Sequence, residues 1–247
     1  MVGQLRKPFL SIIIPAYNEA ARLPGTLEQV DAFLSRQPFT SEILVIENGS
    51  SDGTFEIARA MENKISNLNV IHEDIRGKGW AVRQGMLAAA GDFRFICDAD
   101  LSMPIEELLR FLPPLLEEMP IAIASREAPG AVRYNEPEFR HLVGRAFNLV
   151  VRLLILKGLN DTQCGFKCFR ADVAEKIFPL VTIKGWTFDV EALFIARKTG
   201  YTIIEIPIPW YYKSQSRVKV LRDSIHMGLD LIKIRLNSLK GKYHAKR

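Results

Sequence analysis

Short apolar runs rich in β-branched residues alternate with stretches of helical periodicity along the first half of the chain. Each run is four to five residues long and is bounded by turn-forming residues. Runs of this kind are typical of strands buried on both faces of a parallel sheet. The predicted strands are 10–14, 43–46, 69–72, 93–97 and 121–124, and the predicted helices between them are 19–36, 54–61, 80–90 and 104–118.

The alternation of strand and helix predicts an α/β fold with a mostly parallel sheet flanked by helices. In such sheets, ligands bind beyond the carboxyl ends of the strands. We therefore expect the loops that begin at Pro15, Asn48, Asp98 and Ser125 to meet at one crevice. Because no flexible linker, internal repeat or low-complexity tract interrupts the pattern, we expect a single domain over residues 1–247.

The last predicted helix, over about 220–241, is amphipathic and rich in basic residues. Its apolar positions, which are three or four residues apart and so share one face, are Leu221, Ile225, Leu229, Ile232, Leu236 and Leu239. Two interpretations stay open, a helix packed on the core with a solvated basic face and a helix lying in a membrane interface. The longest candidate membrane span, 147–156, contains Arg152 and is well short of the roughly 20 apolar residues that cross a bilayer.

Composition narrows the class of protein. Of 247 residues, 48% are hydrophobic and 25% are charged, which is typical of a folded globular chain and excludes a disordered one. The three cysteines lack the spacing of a zinc site, and we expect reduced, packed thiols. The net charge of +5 suits an anionic partner, but no aromatic platform is interleaved with the basic residues, so we expect no nucleic-acid binding. The chain opens without a secretory signal pattern, which favours a cytoplasmic location.

The candidate chemistry begins where the fourth predicted strand ends, at Asp98-Ala99-Asp100. Two carboxylates at this point could hold a divalent cation between the protein and phosphate oxygens. Acidic residues after a strand also serve simply to cap the next helix. The polar loops 15–19 and 47–54, which follow two other strands, favour a ligand site over turns alone.

These three loops resemble those of the family 2 glycosyltransferases, which have a GT-A fold and a metal-binding Asp-x-Asp motif. Segments 76–79, 161–167, 186–191 and 227–231 are similar, in the same order, to the dolichyl-phosphate β-glucosyltransferases and prokaryotic polyprenyl-phosphate relatives. The similarity covers roughly residues 9–241. It implies one Rossmann-like GT-A domain with a nucleotide-sugar half over about 9–125, an acceptor half over about 126–219 and the terminal amphipathic helix.

The resemblance also implies which residues bind the donor. The positions that match the family's donor-binding residues are Pro15, Tyr17, Glu19, Asn48, Asp52, Lys78, Asp98 and Ala99. The family's usual Asp-Asp pair is Glu47-Asn48 here. A Mg²⁺ or Mn²⁺ ion would be held by Asp98, Asp100 and Gln163. For Lys78, a solvated lysine in a glycine-flanked turn is the alternative interpretation.

For the acceptor, the resemblance implies a polyprenyl phosphate held by Arg126 and Arg140. Arg217, in the polar segment 213–219, matches a loop that closes over the pyrophosphate in relatives. Because the second pKa of a phosphate is about 6, such an acceptor is largely ionised at neutral pH and needs no general base. Asp189 and Glu191 are accordingly assigned to substrate positioning, with a buried ion pair or a helix cap as the alternative.

The resulting hypothesis is an inverting transferase that moves a hexose, glucose from UDP-glucose in its most specific form, to a polyprenyl or dolichyl phosphate. Asp100, Arg126 and Arg140 are the predicted catalytic residues, and the predicted location is peripheral, on the cytoplasmic face of a membrane. One alternative is transfer to a hydroxyl, with Asp189 or Glu191 as the base. A second alternative is a nucleotide-sugar-binding module without turnover.

Overall fold

The computed structural model describes residues 7–213 and 220–243. Its strands are β1 (Leu10–Ala16), β2 (Ser41–Glu47), β3 (Leu68–His72), β4 (Phe93–Ile96), β5 (Ile121–Ser125), β6 (Val132–Tyr134), β7 (Lys167–Arg170), β8 (Ile204–Pro207) and β9 (Pro209–Tyr211). Its α-helices are α1 (Leu23–Leu34), α2 (Thr54–Glu62), α3 (Lys78–Ala88), α4 (Leu115–Glu118), α5 (Glu138–Leu154), α6 (Ala171–Ile177), α7 (Phe188–Lys198) and α8 (Val220–Leu239).

A seven-stranded sheet in the order β3-β2-β1-β4-β7-β5-β8 forms the centre of the protein, and β6 pairs with β9 in a small second sheet. All neighbours in the large sheet are parallel except β7, which is antiparallel to both β4 and β5. The chain runs outward from β1 through β2 to β3 and then returns to β4 on the other side of β1. Such a reversal of strand order opens a ligand crevice at the carboxyl ends of β1 and β4.

The predicted α/β class and all five predicted strands are confirmed. The single helix predicted over 104–118 is wrong, because this segment forms a 3₁₀ helix (Ile105–Phe111) followed by the short α4. Pro113 and Pro114 separate the two pieces. Each proline lacks a backbone N–H and clashes with the preceding helical turn, so one continuous helix cannot form.

The core lies on both faces of the large sheet. Along β1, Ile12 and Ile14 belong to the cluster on one face and Ile13 to the cluster on the other, as the alternation of a strand requires. Helix α3 crosses β1 closely at Gly85, where a Cβ atom would lie 2.4 Å from Cγ2 of Ile13. The three cysteines are free and buried in this core, as the sequence predicted.

Helices α5 and α8 pack against each other outside the sheet. Nε of Arg235 in α8 donates a hydrogen bond to the carbonyl of Leu154, the last residue of α5 (2.7 Å). Among the helices of the described residues, none combines the length and the apolar character needed to cross a membrane.

Candidate active site

The acidic triplet is fixed at the carboxyl ends of β1 and β4. The backbone N–H of Cys97 donates to the carbonyl of Ile13 (2.9 Å), so the chain leaves the sheet directly at Asp98. Two residues later, Oδ1 of Asp100 accepts a hydrogen bond from the backbone N–H of Ser102 (3.0 Å). Both aspartates are partly buried in this turn. The two carboxylates therefore lie at the switch point, where the strand order reverses between β1 and β4.

Lys78 reaches this turn from the start of α3. Its Nζ lies 2.6 Å from Oδ1 of Asp98. The flanking glycines let the backbone of Lys184 pack closely on the start of α3, because a Cβ atom on Gly77 would lie 2.2 Å from the carbonyl oxygen of Lys184, and the N–H of Gly79 donates to that same oxygen (2.8 Å). Lys78 is therefore an ion-paired residue of the site and not a solvated turn lysine.

Two further predicted segments meet at the triplet. A Cβ atom on Gly165 would lie 2.3 Å from Oδ2 of Asp98, so the segment 161–167 packs directly on that carboxylate. Nζ of Lys167, which is buried, lies 2.9 Å from Oδ1 of Asp189 and also donates to the carbonyl of Cys164. Asp189 thus forms the buried ion pair that the sequence left open as an alternative to substrate positioning.

The charges in this cluster are unevenly compensated. Burial raises the pKa of Asp100, and the neighbouring Asp98 carboxylate raises it further. Burial acts in the same direction on the pKa of Asp98, but the neighbouring cations, first Lys78 and then Lys167 and Arg126, together outweigh it and lower that pKa. Burial raises the pKa of Asp189 in spite of Lys167 beside it. A cation held between the two aspartates would therefore stabilise the carboxylate of Asp100, which burial and the charge of Asp98 both disfavour.

This donor set fits a hard divalent cation. Asp100 forms no ion pair within residues 7–213 and 220–243, and it shares its turn with a second carboxylate. Carboxylate oxygens are the ligands that Mg²⁺ and Mn²⁺ prefer, and Mg²⁺ commonly takes one or two of them together with substrate phosphates and water. In the described part of the chain, no group of three or more His, Cys, Asp or Glu residues forms a metal site. The protein would thus supply two carboxylates, and the substrate would complete the coordination.

Gln163 is the third predicted metal ligand. Its backbone N–H donates to Oδ1 of Asp161 (3.2 Å). The hydrogen bonds of the described residues do not join its side chain to Asp98 or Asp100. Gln163 therefore lies on a segment that reaches the site, but its role as a ligand stays a prediction.

The two predicted nucleotide loops are joined through Asn18, which adopts the left-handed conformation (φ 53°). Its N–H donates to Oγ of Ser50 (2.9 Å), and its Oδ1 accepts from the N–H of Ser51 (2.8 Å). The N–H of Glu19 donates to Oγ1 of Thr54 (2.8 Å). Asn18 was not among the residues predicted from the sequence. Its signal is an Asn after the strand, a residue type that tolerates positive φ.

Asp52 joins the same loops. Its Oδ2 accepts from the N–H of Ala20 (3.2 Å), and its Oδ1 accepts from both the N–H (3.1 Å) and the hydroxyl (2.5 Å) of Thr54. These bonds give Asp52 a structural role at the start of α2. These contacts lie within the protein, so the predicted role of Asp52 in binding the nucleotide stays a prediction.

The departure from the family's Asp-Asp pair, Glu47-Asn48, also has a structural explanation. Glu47 is buried, and its carboxylate meets both the N–H of Ser50 (2.5 Å) and Nδ1 of His72 (2.5 Å). Hydrogen bonding to Glu47 raises the pKa of His72. Asn48 is buried next to it. Glu47 therefore stabilises the loop 47–54 through buried hydrogen bonds and is not exposed to a ligand.

Tyr17 and Glu19 are the predicted donor residues of the first loop, and both are partly buried. The guanidinium of Arg76 stands 5.5 Å from the centre of the Tyr17 ring, and Glu19 forms an ion pair with Arg22. Arg76 is exposed and was noted in the sequence only as part of the segment 76–79. Pro15 lies within β1, where it pairs with Ile46 of β2.

Arg126, predicted to bind the acceptor, forms a bidentate ion pair with buried Asp161. Its Nε lies 2.6 Å from Oδ2 and its Nη2 lies 3.0 Å from Oδ1, and its backbone N–H also donates to Oδ2 (3.0 Å). The face of the guanidinium lies over the Trp210 ring, 5.3 Å from its centre. Asp161 was named in the sequence as part of a segment, but its pairing with Arg126 was not predicted.

The second acceptor residue, Arg140, stacks over Tyr212, 5.2 Å from the ring centre. The aromatic residues beneath both arginines come from one short segment at β9. The N–H of Tyr211, between them, donates to the carbonyl of Ser102, just beyond the acidic triplet (2.7 Å). One segment therefore links the acidic turn to both predicted acceptor residues.

Glu191 has a structural role. It is fully buried and accepts hydrogen bonds from the N–H and hydroxyl of Thr182 (both 2.7 Å), from the N–H of Ile183 (2.7 Å) and from the hydroxyl of Tyr243 (2.6 Å). Its lone pairs are thus occupied by the fold. This geometry corrects the expectation that Glu191 positions substrate or acts as a base. Arg217 lies outside the described residues.

The site therefore combines, at the reversal of strand order of an α/β sheet, a pair of carboxylates with two stacked arginines that the segment at β9 links to them. The chain belongs to glycosyl transferase family 2, whose family model matches residues 11–178. It is 32% identical over 252 residues to the dolichyl-phosphate beta-glucosyltransferase of Dictyostelium discoideum, covering 96% of this chain and 77% of the relative. The human enzyme of that name is 32% identical over 96% of this chain and 78% of its own length.

Other relatives extend the comparison. The glycosyltransferase AglD of Haloferax volcanii is 32% identical over 91% of this chain but only 36% of its own length. Among solved structures, mannosyl-3-phosphoglycerate synthase from Rubrobacter xylanophilus superposes with a TM-score of 0.69 at 19% identity, covering 97% of this chain and 77% of its own. Glucosyl-3-phosphoglycerate synthase from Mycobacterium tuberculosis, solved with Mn²⁺, UDP and phosphoglyceric acid, gives 0.65 at 17% identity, with 97% and 80% covered. These structures confirm the GT-A fold, and the family assignment makes the chain a glycosyltransferase.

Proposed function

We propose that this glycosyltransferase moves glucose from UDP-glucose to a dolichyl-type polyprenyl phosphate, with inversion at the anomeric carbon. The observation that carries the proposal is the link from the acidic turn through Tyr211 to the two stacked arginines. This link supports an arrangement in which a metal-bound diphosphate lies beside a second phosphate bound by arginines. The names of relatives that span 96% of the chain support the same acceptor and sugar.

On the donor side, Asp98, Asp100 and Gln163 would hold Mg²⁺ or Mn²⁺. When bound, the ion supplies positive charge that stabilises the diphosphate leaving group. Lys78 keeps the Asp98 carboxylate in place through its ion pair. The remaining donor contacts that we assign, by the resemblance of their loops, are Pro15, Tyr17, Glu19, Asn48, Asp52, Ala99 and Arg217.

On the acceptor side, Arg126 and Arg140 bind the lipid phosphate. The ion pair with Asp161 engages Nε and Nη2 of Arg126 and so fixes the plane of its guanidinium, while Nη1 takes no part in that pair. An ionised phosphate oxygen then attacks the anomeric carbon as the bond to the diphosphate breaks. Since the nucleophile is already deprotonated, no proton has to be removed by the protein.

Transfer to a hydroxyl fits the site less well. It needs a carboxylate base within reach of the acceptor. Glu191 is fully occupied by structural hydrogen bonds, and Asp189 is paired with Lys167. A panel of free sugars and glycans tested beside polyprenyl phosphate separates the two acceptor classes, and the absence of any product with all of them would favour a binding module without turnover.

The lipid acceptor places the reaction at a membrane surface. Because that acceptor is a membrane lipid, we propose peripheral association with the bilayer, and the cytoplasmic face stays the prediction from the sequence.

The test is incubation with a panel of nucleotide sugars, Mg²⁺ or Mn²⁺ and a short polyprenyl phosphate, followed by mass spectrometry of the lipid fraction. We expect a hexosyl phospholipid from UDP-glucose. Asp100→Ala should lower turnover by about 10³-fold, because it removes charge stabilisation of the leaving group. Asp92→Ala, which removes an exposed ion pair with Lys7, is the matched control and should keep full activity. Full turnover in Asp100→Ala would remove the carboxylate pair from the mechanism.

A further inference from the structure

The apolar stripe of α8 points away from the protein. Its members are 49% to 84% exposed, and they are Ile225, Leu229, Ile232, Leu236 and Leu239. The opposite face carries the buried residues, which are Met227, Leu231, Ile234 and Asn237. The interpretation in which this stripe packs on the core is therefore wrong. The stripe is free to contact an apolar partner outside the described protein.

Helix α5 shows the same feature. Val151 is its buried residue, whereas its exposed large apolar side chains are Phe139, Leu142, Leu149, Val150, Leu153 and Leu154. Leu142 and Leu153 are 68% and 73% exposed, which is within the range of exposure along the stripe of α8. Soluble proteins seldom expose contiguous apolar patches of this kind unless the patch binds something.

The two helices form one surface. They pack against each other, and Arg235 of α8 caps the last turn of α5 at Leu154. We define the α5/α8 surface as the exposed apolar residues of α5 together with the outward stripe of α8.

Basic residues flank this surface. Helix α5 carries Arg140, Arg145 and Arg152 against a single acidic residue, Glu138. Residues 225–243 contain four Lys or Arg and one acidic residue, Asp230. An apolar face bordered by positive charge is the pattern that binds the interface of an anionic bilayer. The same excess of positive charge disfavours a second copy of this chain, because a two-fold interface would bring like charges together.

We propose that the α5/α8 surface docks this protein onto an anionic lipid bilayer, with its leucines at the boundary between headgroups and acyl chains. The proposal deepens the proposed function and rests on it only for the lipid acceptor in that bilayer. Arg140, the predicted acceptor residue, lies in the first turn of α5 and is therefore continuous with the surface. Docking brings the phosphate of a membrane-embedded acceptor to the site without extracting its chain from the bilayer.

The experiment measures binding to phosphatidylcholine vesicles with and without phosphatidylglycerol. We expect binding to the anionic vesicles that weakens with added salt. Leu142→Ser with Leu153→Ser on α5, and separately Leu229→Ser with Ile232→Ser on α8, should each weaken partitioning by about 100-fold, or about tenfold per apolar side chain. All four side chains are exposed, so the melting temperature should not change. Leu87→Ser with Leu109→Ser, at exposed leucines outside the surface, is the matched control and should bind like the wild type.

Activity separates this proposal from the proposed function. With a short, water-soluble isoprenyl phosphate, the surface variants should turn over like the wild type, whereas with a long acceptor embedded in vesicles they should lose activity in parallel with binding. No transfer to either acceptor, with intact vesicle binding, would overturn the proposed function and support the docking surface. Unchanged vesicle binding in both variants would overturn the docking surface. So would a wild-type dimer that these substitutions dissociate and that does not bind vesicles.

Discussion

Gly165 offers a direct test of how closely the acidic turn is packed. A Cβ atom at this position would lie 2.3 Å from Oδ2 and 2.7 Å from Cγ of Asp98. Real Cβ contacts stay beyond 3.0 Å, so Gly165→Ala must move the carboxylate or the 161–167 segment by at least 0.7 Å, which is 3.0 minus 2.3 Å. Asp98 is held by Lys78 at 2.6 Å, so the ion pair is disturbed together with the carboxylate.

The expected effect on function is larger than the effect on folding. A misplacement of about 1 Å at a reacting site can lower turnover by about 10²-fold. Overpacking by one methyl group costs about 1–3 kcal/mol of unfolding free energy, which leaves a domain of this size folded. Gly165→Ala should therefore be a folded protein with weak activity and weaker Mn²⁺ binding.

Three measurements check this expectation: urea unfolding, Mn²⁺ binding by calorimetry in the presence of UDP, and turnover. Gly25→Ala is the control, because a Cβ atom at that position in α1 meets nothing within 4 Å. It should match the wild type in turnover and in Mn²⁺ binding. If Gly165→Ala also binds Mn²⁺ and turns over like the wild type, Asp98 does not hold the ion and the site has been assigned to the wrong carboxylate.

Two other substitutions examine the buried networks beside the site. Asp161→Asn keeps the shape of the side chain but removes the charge that pairs with Arg126, so we expect the KM for the acceptor phosphate to rise about tenfold and the KM for the donor to stay unchanged, in steady-state assays. An equal rise in both values would contradict a role on the acceptor side. Tyr243→Phe removes the hydroxyl that donates to Glu191 and should lower the unfolding free energy by about 1–3 kcal/mol in urea titrations. Unchanged stability would show that this contact does not hold the C-terminal segment.

The strands and the acidic turn could be predicted because their signals are local. A run such as that of β1 is apolar at every position except Ser11, and a strand buried on both faces requires a predominantly apolar composition. Asp98 and Asp100 follow such a run, so their place at the sheet edge follows from the strand itself. The β7 strand could not be predicted in this way. It is short, it begins with the buried Lys167, and its place between β4 and β5 depends on pairing with distant residues.

The ion-pair and hydrogen-bond partners of the charged residues also could not be predicted from the sequence. Arg126 and Asp161 are 35 residues apart, and Glu47 and His72 are 25 apart. A sequence shows that such groups exist, but the cost of burying a charge decides which of them must pair, and burial is known only from the fold. For this reason Glu191 was assigned with Asp189 to the substrate, although its surroundings make it a structural residue.

The orientation of α8 shows the same limit in a helix. Both of its faces are apolar, and a periodic pattern alone cannot decide which face is turned inward. The polar contacts of the buried face decide it: Nδ2 of Asn237 lies 3.3 Å from Oγ1 of Thr182, and Tyr243, just beyond the helix, bonds to Glu191. Rotating the stripe of leucines inward would break these contacts and leave the buried Glu191 carboxylate short of a donor, at a cost of several hydrogen bonds. The fold therefore turns the face with the stronger polar anchor inward and leaves an equally apolar face outside, where a bilayer can cover it.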